Sequence, residues 1–181
     1  MKINNKAFTL VELLVVILII GILAAIAVPQ YQKAILKARL HQGVSLVESL
    51  YQAQQAYYLQ HGDFATDIDD LDVSIPKDES CEKTQNSSQS FYTCDYGKIG
   101  FWDGPTNAQY QAPDYKIAYL HFFKERYNTS SLVNSFTFEA GKRYCYGRIA
   151  SKTAQEICVS MGGVYQTEAK NETGWKLYLL D

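Results

Sequence analysis

Residues 8–28 are the most restrictive feature of this sequence, an apolar run of 21 residues whose single charged side chain is Glu12. A helix rises about 1.5 Å per residue, so a helix of this length spans the roughly 30 Å hydrocarbon layer of a membrane. A carboxylate inside lipid costs at least about 2.5 kcal/mol, which marks Glu12 as a functional residue. The run therefore predicts a membrane-spanning helix and raises the question of what Glu12 pairs with.

Two simpler interpretations of the run are a cleaved secretory signal peptide and a plain single-span anchor. A basic start precedes the apolar core, and Ala-Ile-Ala at 25–27 has the small-x-small spacing of a signal peptidase site. Against the signal peptide, Glu12 lies inside the apolar core, and the helical pattern continues past Val28. Both interpretations stay open on pattern alone.

The head of the run resembles the class III leader of type IV pilins and pseudopilins. The motif is KAFTLVEL, in which a short basic leader and a small residue precede Phe-Thr-Leu-Val-Glu. In that family a membrane peptidase cuts before the phenylalanine and methylates the new amino terminus. The resemblance implies that residues 1–7 are a leader, that cleavage falls between Ala7 and Phe8, and that Phe8 becomes N-methylated. The family usually has glycine where this chain has Ala7.

The same resemblance implies roles for three further residues of the run. Gly21 and Pro29 stand where the family commonly has a helix-loosening glycine and a kinking proline. Glu12 corresponds to a glutamate whose carboxylate can meet the α-amine of Phe8 on a neighbouring chain. Removing one partner of a buried pair costs about 3–5 kcal/mol because the other charge is left unpaired. We therefore expect Glu12 to set the axial offset of subunits in a filament.

The function implied by the resemblance is a structural subunit of a type IV pilus-like helical filament, serving adhesion, twitching motility or DNA uptake. A type II secretion pseudopilin is the alternative, and a membrane-anchored extracytoplasmic binding domain is a further one. The expected partners are other copies of the chain, the prepilin peptidase, the assembly machinery and the inner membrane before assembly. The expected location is the bacterial inner membrane, then an extracellular pilus or a periplasmic pseudopilus.

Composition and motifs argue against other functional classes. The formal net charge is −2, and no basic patch is interleaved with aromatic residues, so we expect no nucleic-acid binding. The sequence has no convincing nucleophile–base pair, no metal-ligand spacing and no nucleotide loop. We therefore expect no enzyme activity, no cofactor and no metal.

Four cysteines constrain the part of the chain that follows the helix. They allow three connectivities, and the simplest pairs neighbours as Cys81–Cys94 and Cys145–Cys158, each pair enclosing twelve residues. Disulfides persist outside the cytoplasm. Because lysines flank both ends of the apolar run, the positive-inside rule does not decide the orientation. The cysteines therefore place the C-terminal domain outside the cytoplasm.

Residues 29–62 are predicted to continue the same helix with one apolar face. Pro29 removes a backbone donor and should bend the helix. Apolar side chains then recur mostly at spacings of three and four, as expected for a helix packed on one side: Leu36, Leu40, Val44, Val47, Tyr51 and Tyr58. His61 and Gly62 form a plausible end, with Gly62 in the left-handed conformation.

Residues 63–113 are interpreted as an irregular connector with a polar disulfide-closed loop. The connector opens with five aspartates that suggest calcium: Asp63, Asp67, Asp69, Asp70 and Asp72. Their spacing lacks the glycine-and-glutamate frame of a calcium loop. Thr66 followed by Asp69 instead favours the start of a short helix.

Residues 114–181 are predicted to form an antiparallel sheet with one short helix. Alternation predicts a strand over 115–122, a hairpin from 136 to 146 with its turn at 140–142, and a last pair of strands at 164–166 and 175–179. A helix over 151–161 begins with Thr153 and Glu156 in capping-box spacing and brings Cys158 over the strand of Cys145. The fold class is α+β, with a long N-terminal helix packed against a C-terminal antiparallel sheet, as in pilins.

Overall fold

The computed structural model describes residues 9–102, 106–114, 116–124, 126–128, 136–169 and 174–180 of the 181-residue chain. The chain divides into two compact units, Met1–Leu36 and Lys37–Asp181, which are treated separately below. Helix α1, Leu10–His61, begins in the first unit and ends in the second. The second unit holds all of the strands.

Helix α1 ends where the sequence predicts. Gly62 has φ 78°, in the left-handed region that glycine adopts without strain, and its N–H donates to the carbonyl of Tyr58 at 2.8 Å. Pro29 lies inside the helix, which continues on both sides of it. The predicted bend at Pro29 stays a prediction.

The second unit is built on an antiparallel sheet of eight strands in the order β1-β2-β3-β4-β5-β8-β10-β9. A separate two-stranded ribbon pairs β6 with β7. The strands are β1 (Glu82–Asn86), β2 (Gln89–Cys94), β3 (Gly97–Trp102), β4 (Asn107–Gln111), β5 (Ile117–Phe122), β6 (Arg126–Asn128), β7 (Phe136–Phe138), β8 (Arg143–Arg148), β9 (Val164–Glu168) and β10 (Trp175–Leu180). The predicted α+β class is confirmed.

The prediction of an irregular connector over residues 63–113 is wrong. Strands β1 to β4 lie in this range, and the polar run between Cys81 and Cys94 is mostly the β1–β2 hairpin. Strand β1 is exposed at all five positions, so its side chains show no alternation of apolar and polar residues. An edge strand gains its backbone hydrogen bonds from one neighbour alone, and such pairing leaves little trace in the side-chain pattern.

The predicted hairpin from 136 to 146 is also wrong in its pairing. The turn is present, since Gly141 has φ 76°, but β7 pairs with β6, and β8 pairs with β5 and β10. The turn bonds back to β5, with the Gly141 N–H donating to Phe122 O at 2.8 Å. Tyr144 and Cys145 of β8 are buried. A strand with buried side chains such as these lies inside a sheet and pairs with a neighbouring strand on each side.

The other predictions for the C-terminal residues agree better with the structure. All six residues of β5 are buried, and β9 pairs antiparallel with β10. Helix α2, Lys152–Ser160, is present, but its N-cap is Ser151, whose side chain accepts from the Ala154 N–H at 3.3 Å. The predicted cap at Thr153 is therefore two residues late. Ser151 is the last extended residue before the helix, which is where a cap must lie.

The core of the second unit lies on both faces of the sheet. On one face the α1 residues Leu40, Gly43, Val47, Leu50 and Gln54 are buried, and Gly43 lies against Tyr110 of β4. On the other face an apolar cluster is formed by Ala118, Leu120, Phe122, Phe138, Tyr144, Trp175 and Leu177. Of the stripe predicted for α1, Leu40 and Val47 are fully buried, whereas Tyr58 is 42% exposed.

Candidate assembly site in the N-terminal helix

The apolar part of α1 is exposed to solvent along its length. Each large apolar side chain from Leu10 to Val28 is between 45% and 78% exposed. The helix is long and apolar enough to cross a membrane, and none of its most apolar window is buried. Soluble monomers rarely expose contiguous apolar surface on this scale. The surface therefore requires lipid or other helices to cover it.

Glu12 forms a capping box with Thr9 at the start of the helix. The Glu12 Oε2 accepts from the Thr9 N–H at 2.8 Å and from the Thr9 hydroxyl at 2.7 Å. In return, the Glu12 N–H donates to Thr9 Oγ1 at 3.2 Å. The signal for this box, Thr-x-x-Glu before an apolar run, is present in the sequence, although the box was not predicted from it.

The capping box leaves part of the Glu12 carboxylate available. Both hydrogen bonds end on Oε2, and within the described part of the chain Oε1 accepts no hydrogen bond. A carboxylate oxygen held in the first turn of a helix can accept from a cation supplied by another molecule. Ala7 and Phe8, the predicted cleavage and methylation residues, lie outside the described residues, so their roles stay predictions.

Gly21 lies in a shallow apolar depression on the helix surface. The depression is lined by Leu14, Ile17, Leu18, Ile22 and Ala25, with Gly21 among them. A methyl group added at Gly21 would meet no atom within 4 Å. Packing within the described chain therefore does not require glycine at this position.

The acidic segment after α1 is neutralised by lysines. Lys83 Nζ lies 2.6 Å from Asp67 Oδ1 and 2.7 Å from Asp69 Oδ2. Asp67 also caps the 3₁₀ helix Ile68–Asp70 by accepting from the Asp69 N–H at 3.0 Å, one residue after the predicted cap at Thr66. Among the described residues, no group of three His, Cys, Asp or Glu side chains could hold a metal ion. The ammonium group of Lys83 therefore contacts the two carboxylates that a calcium ion would have to bind.

These contacts perturb the aspartates. Hydrogen bonds from Lys83 and then from Tyr92 lower the pKa of Asp69 to about 2. Burial would raise the pKa of Asp67, but hydrogen bonds from the Asp69 backbone, Lys83 and Ser90 outweigh it and lower that pKa. Both groups are therefore carboxylates at neutral pH, and they fasten the acidic segment to the β1–β2 hairpin.

A second polar cluster joins α1 to β5. Glu48 accepts a hydrogen bond from the Tyr119 hydroxyl, and its Oε2 lies 3.1 Å from His121 Nδ1. The His121 ring stacks on Tyr51 at a centroid distance of 3.5 Å, and its Nε2 lies 3.3 Å from Gly141 O. Burial alone would raise the pKa of Glu48, but the hydrogen bonds from His121 and Tyr119 lower it. The sequence analysis did not predict this link.

Both predicted disulfides are present. Cys81–Cys94 joins the residue before β1 to the end of β2, and Cys145–Cys158 joins β8 to α2. None of the four cysteines is free. The prediction from neighbouring positions is confirmed.

Two protein families match the chain on either side of residue 30. Residues 2–28 match the prokaryotic N-terminal methylation motif, and residues 41–116 match the family Type IV pilin-like G and H. The chain carries a prepilin methylation motif and a type IV pilin-like domain. The second match includes the part of α1 that packs on the sheet and the four strands that sequence analysis missed.

The chain has relatives in several bacteria. It is 39% identical over 74 residues to a fimbrial protein of Neisseria meningitidis serogroup A, which covers 41% of this chain and 44% of the relative. It is 47% identical over 66 residues to the type IV major fimbrial protein FimA of Dichelobacter nodosus, covering 36% and 41%. The third is the type IV major pilin protein PilA of Myxococcus xanthus, at 39% over 68 residues, 36% of this chain and 31% of the relative. The matched region thus spans less than half of each relative, and no solved structure shows significant similarity to the chain.

Proposed function

We propose that this chain is a structural subunit of a type IV pilus-like filament. The observation that carries the proposal is the exposed apolar helix surface from Leu10 to Val28, which follows a methylation motif and begins with a partly unpaired carboxylate at Glu12. The relatives are named as fimbrial proteins and major pilins, which favours a pilus over a secretion pseudopilus. In such a filament the apolar surfaces of many copies cover one another.

The capping box gives Glu12 a defined place in this assembly. Thr9 holds Oε2, so the carboxylate is oriented before a second chain arrives. Cleavage between Ala7 and Phe8 would create an α-amine on each copy, and the amine of one copy would bond to Oε1 of Glu12 on the next. In an apolar bundle a missing partner costs about 3–5 kcal/mol, so copies with any other axial offset are disfavoured.

The proposed assembly also accounts for the apolar helix, for residues 1–7 and for the second unit. Before assembly the apolar helix would lie in the inner membrane, where the prepilin peptidase removes residues 1–7 and the assembly machinery extracts the subunit. The two disulfides favour an oxidising compartment, which supports a location of the second unit outside the cytoplasm. The filament would then serve adhesion, motility or DNA uptake at the cell surface.

Mass spectrometry of the mature amino terminus tests the first step. We expect a chain that begins at N-methylated Phe8. A chain that retains Met1, or one that begins at Val28, would contradict the proposal, because neither supplies the amine at the required place.

Substitution of Glu12 tests the assembly step. Glu12→Val should leave the chain processed and in the membrane, without filaments, because the amine of Phe8 then lacks its partner. Thr9→Val is the matched control, since it removes the hydroxyl bonds to Glu12 but keeps the carboxylate, and it should still permit filaments. Electron microscopy of surface fibres provides the measurement, and normal fibres from Glu12→Val would exclude this mechanism.

A further inference from the structure

His121 lies on β5, a strand whose six residues are all buried. The histidine itself is 6% exposed. A buried polar atom without a hydrogen-bond partner destabilises the folded state, so both ring nitrogens of His121 need partners within the protein. The nature of these partners decides how many protons the ring can carry.

Both ring nitrogens face oxygen atoms. Nδ1 lies 3.1 Å from Glu48 Oε2 on α1, and Nε2 lies 3.3 Å from the carbonyl oxygen of Gly141, in the turn before β8. A neutral imidazole has one N–H group and one bare nitrogen, so it can donate to only one of these oxygens. The imidazolium ion has an N–H group on each nitrogen and can donate to both.

Neither oxygen has a proton to offer the ring at neutral pH. The Gly141 carbonyl can only accept. Burial alone would raise the pKa of Glu48, but the hydrogen bonds from His121 and Tyr119 lower it, so Glu48 is a carboxylate. Burial, and then the hydrogen bond to Glu48, raise the pKa of Tyr119, whose hydroxyl stays protonated and donates to the carboxylate. The proton between His121 and either oxygen must therefore belong to the ring.

The Tyr51 ring covers one face of the His121 ring. The two centroids are 3.5 Å apart, and the ring planes differ by 2°. The face of an aromatic ring attracts a cation, and the attraction is stronger where the cation is shielded from water. The stack therefore favours the imidazolium over the neutral ring.

The charged side chains around this cluster act in both directions. Arg143 is opposite His121 in the register of β5 and β8, and its positive charge disfavours a second cation beside it. Arg143 also attracts Glu48 and helps to keep it ionised. In the turn, Glu139 and Lys142 are exposed, where solvent and salt screen their charges. The groups in direct contact with the ring, a carboxylate, a carbonyl and an aromatic face, all favour its charged form.

We propose that His121 is a pH-sensitive lock between α1 and the sheet, closed while its ring carries both protons. In the closed lock, Nδ1–H donates to Glu48 of the helix while Nε2–H donates to Gly141 of the turn. Loss of either proton as the pH rises leaves a bare nitrogen facing an oxygen, and that contact opens. The lock does not depend on the proposed filament, because all of its groups belong to the second unit.

A lock of this kind makes the folded chain lose stability as the pH rises. A histidine in an unfolded chain has a pKa of about 6.5. Above that pH, a folded state that keeps the imidazolium binds more protons than the unfolded state, and the free energy of unfolding decreases with pH. The contribution of His121 is therefore complete in mildly acidic solution and is lost in alkaline solution.

Nuclear magnetic resonance of the ¹⁵N-labelled full-length chain in detergent tests the protonation of the ring. At pH 7.5 we expect both ring nitrogens of His121 to carry a proton, with the signal assigned by its loss in His121→Gln. The same ring should be mostly neutral when the chain is unfolded in urea at this pH. A folded wild-type chain with one bare nitrogen on His121 at pH 7.5 would overturn the proposal.

Thermal unfolding between pH 6 and pH 9 tests the consequence for stability. The midpoint of wild type should fall by about 3 °C or more relative to that of His121→Gln, whose amide does not titrate in this range. His41→Gln, at an exposed position of α1, is the matched control and should keep the fall seen in wild type. The same pH dependence in wild type and in His121→Gln would show that the ring proton does not hold α1 to the sheet.

Discussion

Gly43 of α1 lies directly against the ring of Tyr110 of β4. Both residues are buried, and a methyl group added at Gly43 would overlap the ring carbons of Tyr110. The ring cannot easily move aside, because its hydroxyl donates to the Tyr96 carbonyl at 2.5 Å. The close approach of helix and sheet therefore depends on the absence of a side chain at one helical position.

Gly43→Ala should lower the free energy of unfolding by about 1–3 kcal/mol, because the overlap with Tyr110 outweighs the better helix propensity of alanine. Denaturant unfolding of the detergent-solubilised chain measures the change. Gln42→Ala, at the exposed position next to it, is the control and should be close to neutral. Equal or greater stability for Gly43→Ala would mean that the ring of Tyr110 can move.

Gln54 is the buried polar residue that attaches the segment after α1 to the helix. Its Nε2 donates to the Ala65 carbonyl at 2.8 Å, and its Oε1 accepts from the Ala65 N–H at 2.9 Å. Gln54→Leu should lower the free energy of unfolding by about 2–4 kcal/mol, because it leaves two buried backbone groups unpaired at about 1–3 kcal/mol each. The exposed Gln52→Leu is the matched control. Hydrogen exchange at the Ala65 amide should accelerate in the buried variant only.

Acid should weaken the chain through Asp69. The pKa of Asp69 is lowered to about 2 in the folded state, below its unfolded value of about 3.9. Its contribution to stability is therefore complete above about pH 4 and is lost as the pH falls toward 2. Asp69→Asn should show a shallower decline of unfolding free energy over this range than wild type, and the effect should diminish in salt because the side chain is 45% exposed.

Asp70→Asn provides the comparison for that titration. Asp70 is the adjacent aspartate and forms no ion pair with the described residues. Its replacement removes one carboxylate and leaves the contacts of Lys83 and Tyr92 with Asp69 in place. If both variants had the same slope, the contacts of Lys83 and Tyr92 with Asp69 would not contribute to stability.

The two disulfides should differ in their contribution although their loops have the same length. Chain entropy assigns each a contribution of roughly 3 kcal/mol. Cys145 and Cys158 are fully buried, whereas Cys81 is partly exposed. Replacing both members of a pair by alanine should therefore cost more for Cys145–Cys158, because a packing defect adds to the lost cross-link. Calorimetry of the two double variants measures the difference, and equal losses would exclude the packing contribution.

Sequence reasoning succeeds where a residue's local chemistry decides the structure. The glycine at the end of α1 and the spacing of the cysteines both led to correct predictions. Gly62, for example, needs only its own freedom at positive φ and the carbonyl of Tyr58. The leader motif led to the right family because its residues are contiguous in the sequence.

Sequence reasoning fails where a residue or strand distant in the sequence determines the structure. Strand β1 forms because β2 pairs with it, and nothing in its own residues signals this. Strand β7 pairs with β6 because β8 lies inside the large sheet and has two other partners there. Whether a strand lies inside a sheet depends on the burial of the whole sheet. The contacts of Glu48 were not predicted, because the two side chains that bond to it, Tyr119 and His121, lie more than 70 residues away.

The short span of each disulfide has a consequence for the order in which the chain matures. Both bridges join cysteines 13 positions apart, and both cysteines of the first bridge precede those of the second in the sequence. When a polypeptide is delivered residue by residue, Cys81 meets Cys94 before Cys145 has arrived. During that interval no other cysteine of this chain competes with the first pair, so sequential delivery favours the native pairing.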